Sequence, residues 1–216
     1  MNGFYLRFAL AWLVSLGVGC TSAPVRYYTL TPPPDRTLTA SETILAIDVR
    51  VVHTPPQLNR SELMVRTGPA EVALLENERW ASPVKDEIKD ALRLELQRRS
   101  SRISELRPAF TKLTFDIDVQ HLEAELGRHA LLEVSWSATS SPTGQQSRGA
   151  RVTTCSFQSD EKIPAGYAGM VEGYQREIAA LADAIVAVLT SPANGIDASC
   201  QKSIEGSAGG SGSKDH

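Results

Sequence analysis

The 216-residue chain lacks the motifs that nucleotide- and ester-handling enzymes carry. It has no P-loop, no dinucleotide-binding glycine pattern and no G-x-S-x-G. Any ATP or GTP chemistry would have to belong to a partner. Histidine is scarce, and His53, His121 and His129 have no metal-like spacing with each other or with a cysteine. A strong charge of one sign is missing too. The formal net charge is -3, and the basic residues cluster only at Arg98, Arg99 and Arg102. No nucleic-acid partner is expected, and that triplet reads as the solvated end of a helix. Beyond the first twenty residues no apolar run approaches the ~20 residues of a membrane-spanning helix.

What is present begins at the N-terminus. Met1 to Arg7 carries positive charge and no acid, Phe8 to Leu16 (FALAWLVSL) is apolar, and Gly17, Val18 and Gly19 are small. This three-part pattern is an export signal, and its apolar run is about half a membrane span. Cys20 follows at once. Small residues before a cysteine at the end of such a signal resemble a bacterial lipobox, here with Gly17 where leucine is usual and Leu16 one place further back. We expect residues 1–19 to be a lipoprotein signal peptide and Cys20 to carry lipid; plain secretion with cleavage elsewhere is the alternative. Acyl chains contribute about 0.8 kcal/mol per buried CH₂, so two or three of them hold a protein on a membrane. Thr21, not aspartate, comes next, which resembles outer-membrane sorting in Gram-negative lipoproteins. The cysteine count of three is odd. With Cys20 taken by lipid, Cys155 and Cys200 remain in an oxidising compartment. There they either pair or persist as a buried thiol and a loose one.

The remainder has the composition of one ordinary globular domain, 42% hydrophobic and 22% charged. Residues 20–43 read as the lipidated cysteine and an extended segment, with strand-like Arg26 to Leu30 before Pro32-Pro33-Pro34. Residues 44–190 read as the single globular domain, and residues 191–216 as a flexible tail. Residues 44–52 alternate, with Leu45, Ile47, Val49 and Val51 on one face. Residues 62–66 and 71–75 are predicted as short strands joined through Thr67-Gly68-Pro69. Ser82 is predicted to cap a helix that Pro83 begins and that ends near Ser100, with Val84, Ile88, Ala91, Leu92 and Leu96 on its apolar face.

Residues 112–126 form a long predicted strand whose apolar parity changes, from Leu113, Phe115, Ile117 and Val119 to Leu122, Ala124 and Leu126. A one-residue slip inverts the faces of a strand, so a bulge is expected near Gln120-His121. Residues 129–139 alternate again, with Ala130, Leu132, Val134, Trp136 and Ala138 inward. Residues 140–146 are a predicted hairpin turn and 147–158 the return strand. Residues 166–189 are the second helix. Its seam of Val171, Tyr174, Ile178, Leu181, Ile185 and Val188 packs on the domain's own sheet or, alternatively, on a coiled-coil partner. The fold class that follows is α/β (α+β): an antiparallel-rich mixed sheet with two main helices packed on one face.

Acidic residues offer the remaining chemistry. Asp116 and Asp118 could act as acid and base in a periplasmic hydrolase. They lie opposite the apolar face of an exposed strand, however, with no pocket around them. His121, Glu123 and Glu125 share a parity that could seat a metal; such a set more ordinarily forms the solvated face of a sheet. We assign no catalytic residue, no metal ligand, and no cofactor beyond the covalent lipid on Cys20.

One ordered set of motifs is more specific. Tyr27-Tyr28-Thr29-Leu30, Ile47-Asp-Val-Arg-Val51, Pro56-Gln-Leu-Asn-Arg60, Leu63-Met-Val-Arg66 and Trp80-Ala-Ser-Pro83 follow the lipobox in turn. In this order, and with the Gly166-Tyr167 helix, the chain resembles the PqiC-like ABC-type transport auxiliary lipoproteins over roughly residues 20–190. The resemblance implies a lipoprotein on the periplasmic face of the outer membrane. It implies partners too: an MCE-domain membrane protein and ABC transporter or permease components, along whose bridge lipids or other apolar molecules pass. The implied role is docking and complex assembly, not catalysis, and a homo-oligomer would suit it. A structural assembly lipoprotein of outer-membrane biogenesis or secretion machinery is the alternative. Pro56, Leu58 and Arg60, on a stiff and partly apolar loop, are candidate partner contacts, as is Trp80. Each has a plainer reading: Leu58 tucked into the core at a turn, and Trp80 as a plug over the helix start. Arg66 is expected to face solvent.

Overall fold

A computed structural model describes residues 23–33, 45–107, 110–142, 151–191 and Cys200. The expected signal peptide, Cys20 and nearly all of the C-terminal tail lie outside the described residues. The chain runs β1 (Arg26–Tyr28), β2 (Ala46–His53), a 3-10 turn (Pro56–Leu58), β3 (Glu62–Gly68) and β4 (Glu71–Trp80). It continues through α1 (Val84–Arg98), α2 (Ser100–Leu106), β5 (Phe110–Glu125), β6 (His129–Pro142), β7 (Arg151–Lys162) and α3 (Tyr167–Thr190).

The strands sort into two sheets, ordered β2-β5-β6-β7 and β1-β4-β3. Each has one parallel pair, β2 with β5 and β1 with β4, and the other pairings are antiparallel. The antiparallel-rich mixed α+β architecture expected from the sequence is the one observed, and the division into two sheets is added to it. Helix α1 packs on β2, α3 packs on β6 and β7, and the two helices also meet each other.

The core follows the apolar periodicity. On β5, Leu113, Phe115, Ile117 and Val119 are buried, the register shifts between Val119 and His121, and Leu122 and Ala124 are buried beyond it. The extra residue leaves Gln120 and His121 both exposed and returns the apolar set to the inside. Ala130, Leu132, Val134, Trp136 and Ala138 are buried on β6. All five apolar positions predicted on α1 and all six on α3 are buried, so the α3 seam packs within the domain. A second register shift, between Val49 and Val51, interrupts the alternation expected of β2. Gly173 permits the close approach of α3 to the chain after β7: an added Cβ would collide with the side chain of Ile163.

Several local expectations are corrected. Strand β4 runs to Trp80, beyond the expected end at 75, because its polar second half is held by pairing with β1 at Glu78–Trp80. Glu76, Asn77 and Glu78 hide that half from an alternation test. Pro83, not Ser82, occupies the N-cap of α1, its carbonyl accepting from the amides of Asp86 and Glu87. The Ser82 hydroxyl instead donates to Glu87 Oε1 at 2.8 Å. Ser140 to Pro142, expected in a turn, belong to β6, and the return strand runs Arg151–Lys162; residues 143–150 lie outside the described residues. Arg99 is not a solvated helix end. It grips Asp183 on α3 through Nε (2.6 Å) and Nη2 (2.9 Å), and Glu95 through Nη1 (2.5 Å). These acceptors hold its guanidinium charged, Asp183 contributing most.

Candidate functional site

The bulge on β5 shapes a concavity of the domain. A groove of about 220 Å³ opens between the 3-10 turn, the β3–β4 hairpin and residues Gln120–Glu123. Leu58, Met64, Val72 and Leu122 give it apolar walls, and Gln57 and His121 give it polar ones. Cross-strand pairing sets Met64 opposite Leu74, and Arg66 opposite Val72. Val72 and Leu74 are both more than two-fifths exposed. Large apolar side chains left exposed on a hairpin, beside a groove, make a surface suited to contact. The turn itself is closed by the Leu58 amide donating to Pro55 O at 2.9 Å and the Asn59 amide to Pro56 O at 3.1 Å. Its prolines restrict the backbone, so contact there would cost little ordering entropy.

The structure brings some expected contact residues together and separates others. Pro56 and Arg60 are exposed on the turn, and Leu58 is half-buried against the core, so one loop serves as both turn and surface. Trp80 lies inside the domain. It is 7% exposed, and its ring lies 6.4 Å from that of Tyr174 on α3. It plugs the space between β4 and α3 rather than standing out as an anchor.

Arg66 is the residue that sequence reasoning placed wrongly. Its Nε and Nη2 both donate to the carboxylate of Glu123 on β5, the latter at 2.5 Å, and its Nη1 donates to the carbonyls of Gly68 (3.1 Å) and Pro69 (3.0 Å). This bidentate pair clamps the two sheets together along the wall of the groove. The guanidinium hydrogen bond holds the Glu123 carboxyl below the usual carboxylate range, against burial. No local sequence signal could reveal a partner 57 residues away.

Two further carboxylates were missed. Glu78, 5% exposed, accepts from Arg26 Nε at 3.0 Å and from the Tyr28 hydroxyl at 2.7 Å, pinning β1 to β4. Glu87, also 5% exposed, accepts from the Thr29 hydroxyl (2.7 Å), the Leu30 amide (2.8 Å) and Ser82. These two acids explain why Tyr-Tyr-Thr-Leu and Trp-Ala-Ser-Pro belong to one structural unit.

The acidic residues considered for chemistry are dispersed. Asp116 binds Arg50 at 2.5 Å, and Asp118 is exposed on the same face of β5. His121 lies 3.2 Å from Glu133, and Glu123 is occupied by Arg66. No cluster of three or more metal-ligating side chains occurs among the described residues. Glu177 on α3 is 1% exposed; burial first, then the charges of Glu161 and Asp160, push its carboxyl up to about 9. The structure places Cys155, on β7, and Cys200 as a disulfide with their Cα atoms 5.4 Å apart. Among the described residues no helix is long and apolar enough to cross a membrane.

Comparison with known proteins gives the geometry a setting. The chain is similar to a crystal structure of an uncharacterised protein at 17% identity and TM-score 0.55, covering 76% of this chain and 97% of that one. A Xanthomonas campestris protein aligns at 14% identity and TM-score 0.48, over 76% of this chain and 95% of its own. A candidate lipoprotein from Caulobacter crescentus aligns at 14% identity and TM-score 0.34, over 49% of this chain and 87% of its own. The first of these supports the fold alone. Comparison with curated proteins gives no match. The sequence pattern of one family, described as the ABC-type transport auxiliary lipoprotein component, matches residues 28–186. That span holds β3, β4, the turn and the bulged β5, so the groove and the clamp beside it lie within the shared domain; this chain belongs to the ABC-type transport auxiliary lipoprotein component family.

Proposed function

We propose that the protein is an outer-membrane lipoprotein, anchored through Cys20 on the periplasmic face, that docks an MCE-domain protein of an ABC-type lipid transport system. It acts by position and contact and not by catalysis. The observation that carries this reading is the surface around the groove: exposed Val72 and Leu74 on the hairpin, beside the stiff turn that presents Pro56 and Arg60. Apolar side chains displayed on a rigid hairpin next to a concavity suit a protein partner better than a soluble substrate. Self-association into a homo-oligomer would multiply the same contact.

The test is affinity capture of the lipidated protein from native membranes. An MCE-domain protein, with or without permease components, is the expected co-purifying species. The double substitution Val72→Glu with Leu74→Glu should lower its recovery about tenfold, the scale of losing an interface anchor. Capture of only a β-barrel or a secretin would overturn the reading in favour of outer-membrane assembly or secretion machinery.

A further inference from the structure

A second apolar surface lies where the described chain begins. Val25 is 42% and Tyr27 is 66% exposed. Tyr27 is not free to fold inward. Arg26 and Tyr28 both reach Glu78, and side chains alternate along a strand, so Tyr27 is directed to the other side of β1. An open groove of about 590 Å³ adjoins it, with Tyr27, Thr31, Pro32, Pro33, Ala168 and Val171 in its lining. The Gln175 amide donates to Thr29 O at 3.2 Å and joins the two sides of this groove.

The length of chain before this surface says what covers it. Four residues, Thr21 to Pro24, separate Val25 from Cys20. Fully extended, that connection spans at most about 18 Å. A domain of this size has a radius of gyration of about 15 Å and is therefore about 40 Å across. Lipid on Cys20 thus holds the β1 end of the domain near the bilayer and cannot reach round to present the opposite end.

We propose that Val25, Tyr27 and the adjoining edge of Pro32 and Pro33 form a foot that seats on the phospholipid surface and orients the domain. The inference rests on lipid attachment at Cys20. Tyrosine suits this position, because its ring enters the headgroup boundary while its hydroxyl stays in water. Val25 adds apolar area beside it, and the prolines keep the surface stiff without ordering cost.

The test uses the full lipidated protein in vesicles of phosphatidylethanolamine and phosphatidylglycerol, with some acyl chains brominated near the glycerol. Trp80 and Trp136 are buried out of reach of the bromines, and Trp12 lies in the expected signal peptide, so the native emission is a constant background; three single substitutions add a reporter: Tyr27→Trp, Val72→Trp and Val152→Trp. Val72 and Val152 are exposed apolar residues on other strands and serve as controls. Brominated lipid should roughly halve the added Tyr27→Trp fluorescence and leave both controls unchanged, as interfacial seating of an aromatic ring requires. Vesicle flotation reports the anchor separately. Protein that floats but shows no more quenching at position 27 than at 72 or 152 overturns the foot alone. Protein that does not float overturns the anchor and the foot together.

Discussion

On β5 and β6 of the four-stranded sheet, Leu113, Phe115, Ile117, Leu132, Val134 and Trp136 are each at most 2% exposed and face inward. In and beside the three-stranded sheet the polar side chains that fix neighbours are Glu78 and Arg66, with Glu87 of α1, through hydrogen bonds to Arg26, Tyr28, Thr29 and Glu123. The first region is held by non-directional burial, which tolerates repacking and scales with area. The second is held by charge-assisted bonds, whose loss leaves a half-buried group unmatched. The groove lies where the two regions meet, and its wall is the Arg66–Glu123 clamp.

This comparison can be broken in four ways. The largest effect is expected from Phe115→Ala in the four-stranded sheet. It should cost about 4 kcal/mol, read as a fall in the denaturant midpoint with the slope unchanged. A comparable loss, about 4 kcal/mol, is expected from reducing a Cys155–Cys200 bridge, which joins residues 45 apart. A thiol titration of the denatured, unreduced protein should find neither cysteine free. Third, Arg66→Ala should cost about 2 kcal/mol, and Glu123→Gln in that background should recover part of the loss, because the orphaned charge is gone. Amide exchange should then quicken in β3 and β4 while β5 and β6 stay protected. Equal loosening of all four strands would sink the distinction between the two regions.

The fourth is Glu177→Gln, whose effect is read from the pH dependence of stability. Its folded-state carboxyl, at about 9, titrates well above the usual value of about 4.5. The stability that its protonated form contributes is fully present below pH ~4.5 and is lost as the pH rises toward 9. Glu123 and Asp183 act in the opposite direction: their arginine partners lower both, so the stability they add is present above the usual carboxylate range and is lost on acidification. Stability measured from pH 5 to 9 should therefore fall with pH less steeply in Glu177→Gln than in the parent. Parallel curves would show that this carboxyl is not buried in the neutral form.

Residue periodicity made the four-stranded layer legible. The parity change on β5 locates the bulge at Gln120-His121. The Pro56–Leu58 turn and the apolar faces of α1 and α3 were legible in the same way. The second half of β4 was not, because Glu76, Asn77 and Glu78 resemble a loop until β1 pairs with them. Trp80 was ambiguous, because an aromatic between a strand and a helix suits an interface as well as a core.

The sequence by itself determined which faces of the strands and helices are apolar, where β5 changes phase, and that the N-terminal segment reads as an export signal ending at a cysteine. Those properties are local, set by periods of 2 and 3.6 residues. Only the tertiary structure decided which charges meet. Arg66 with Glu123 and Arg99 with Asp183 are 57 and 84 residues apart. Many arginines and acids could satisfy a local rule equally well; the packing of two sheets and two helices selects among them, because a half-buried charge is tolerated only where a partner already stands.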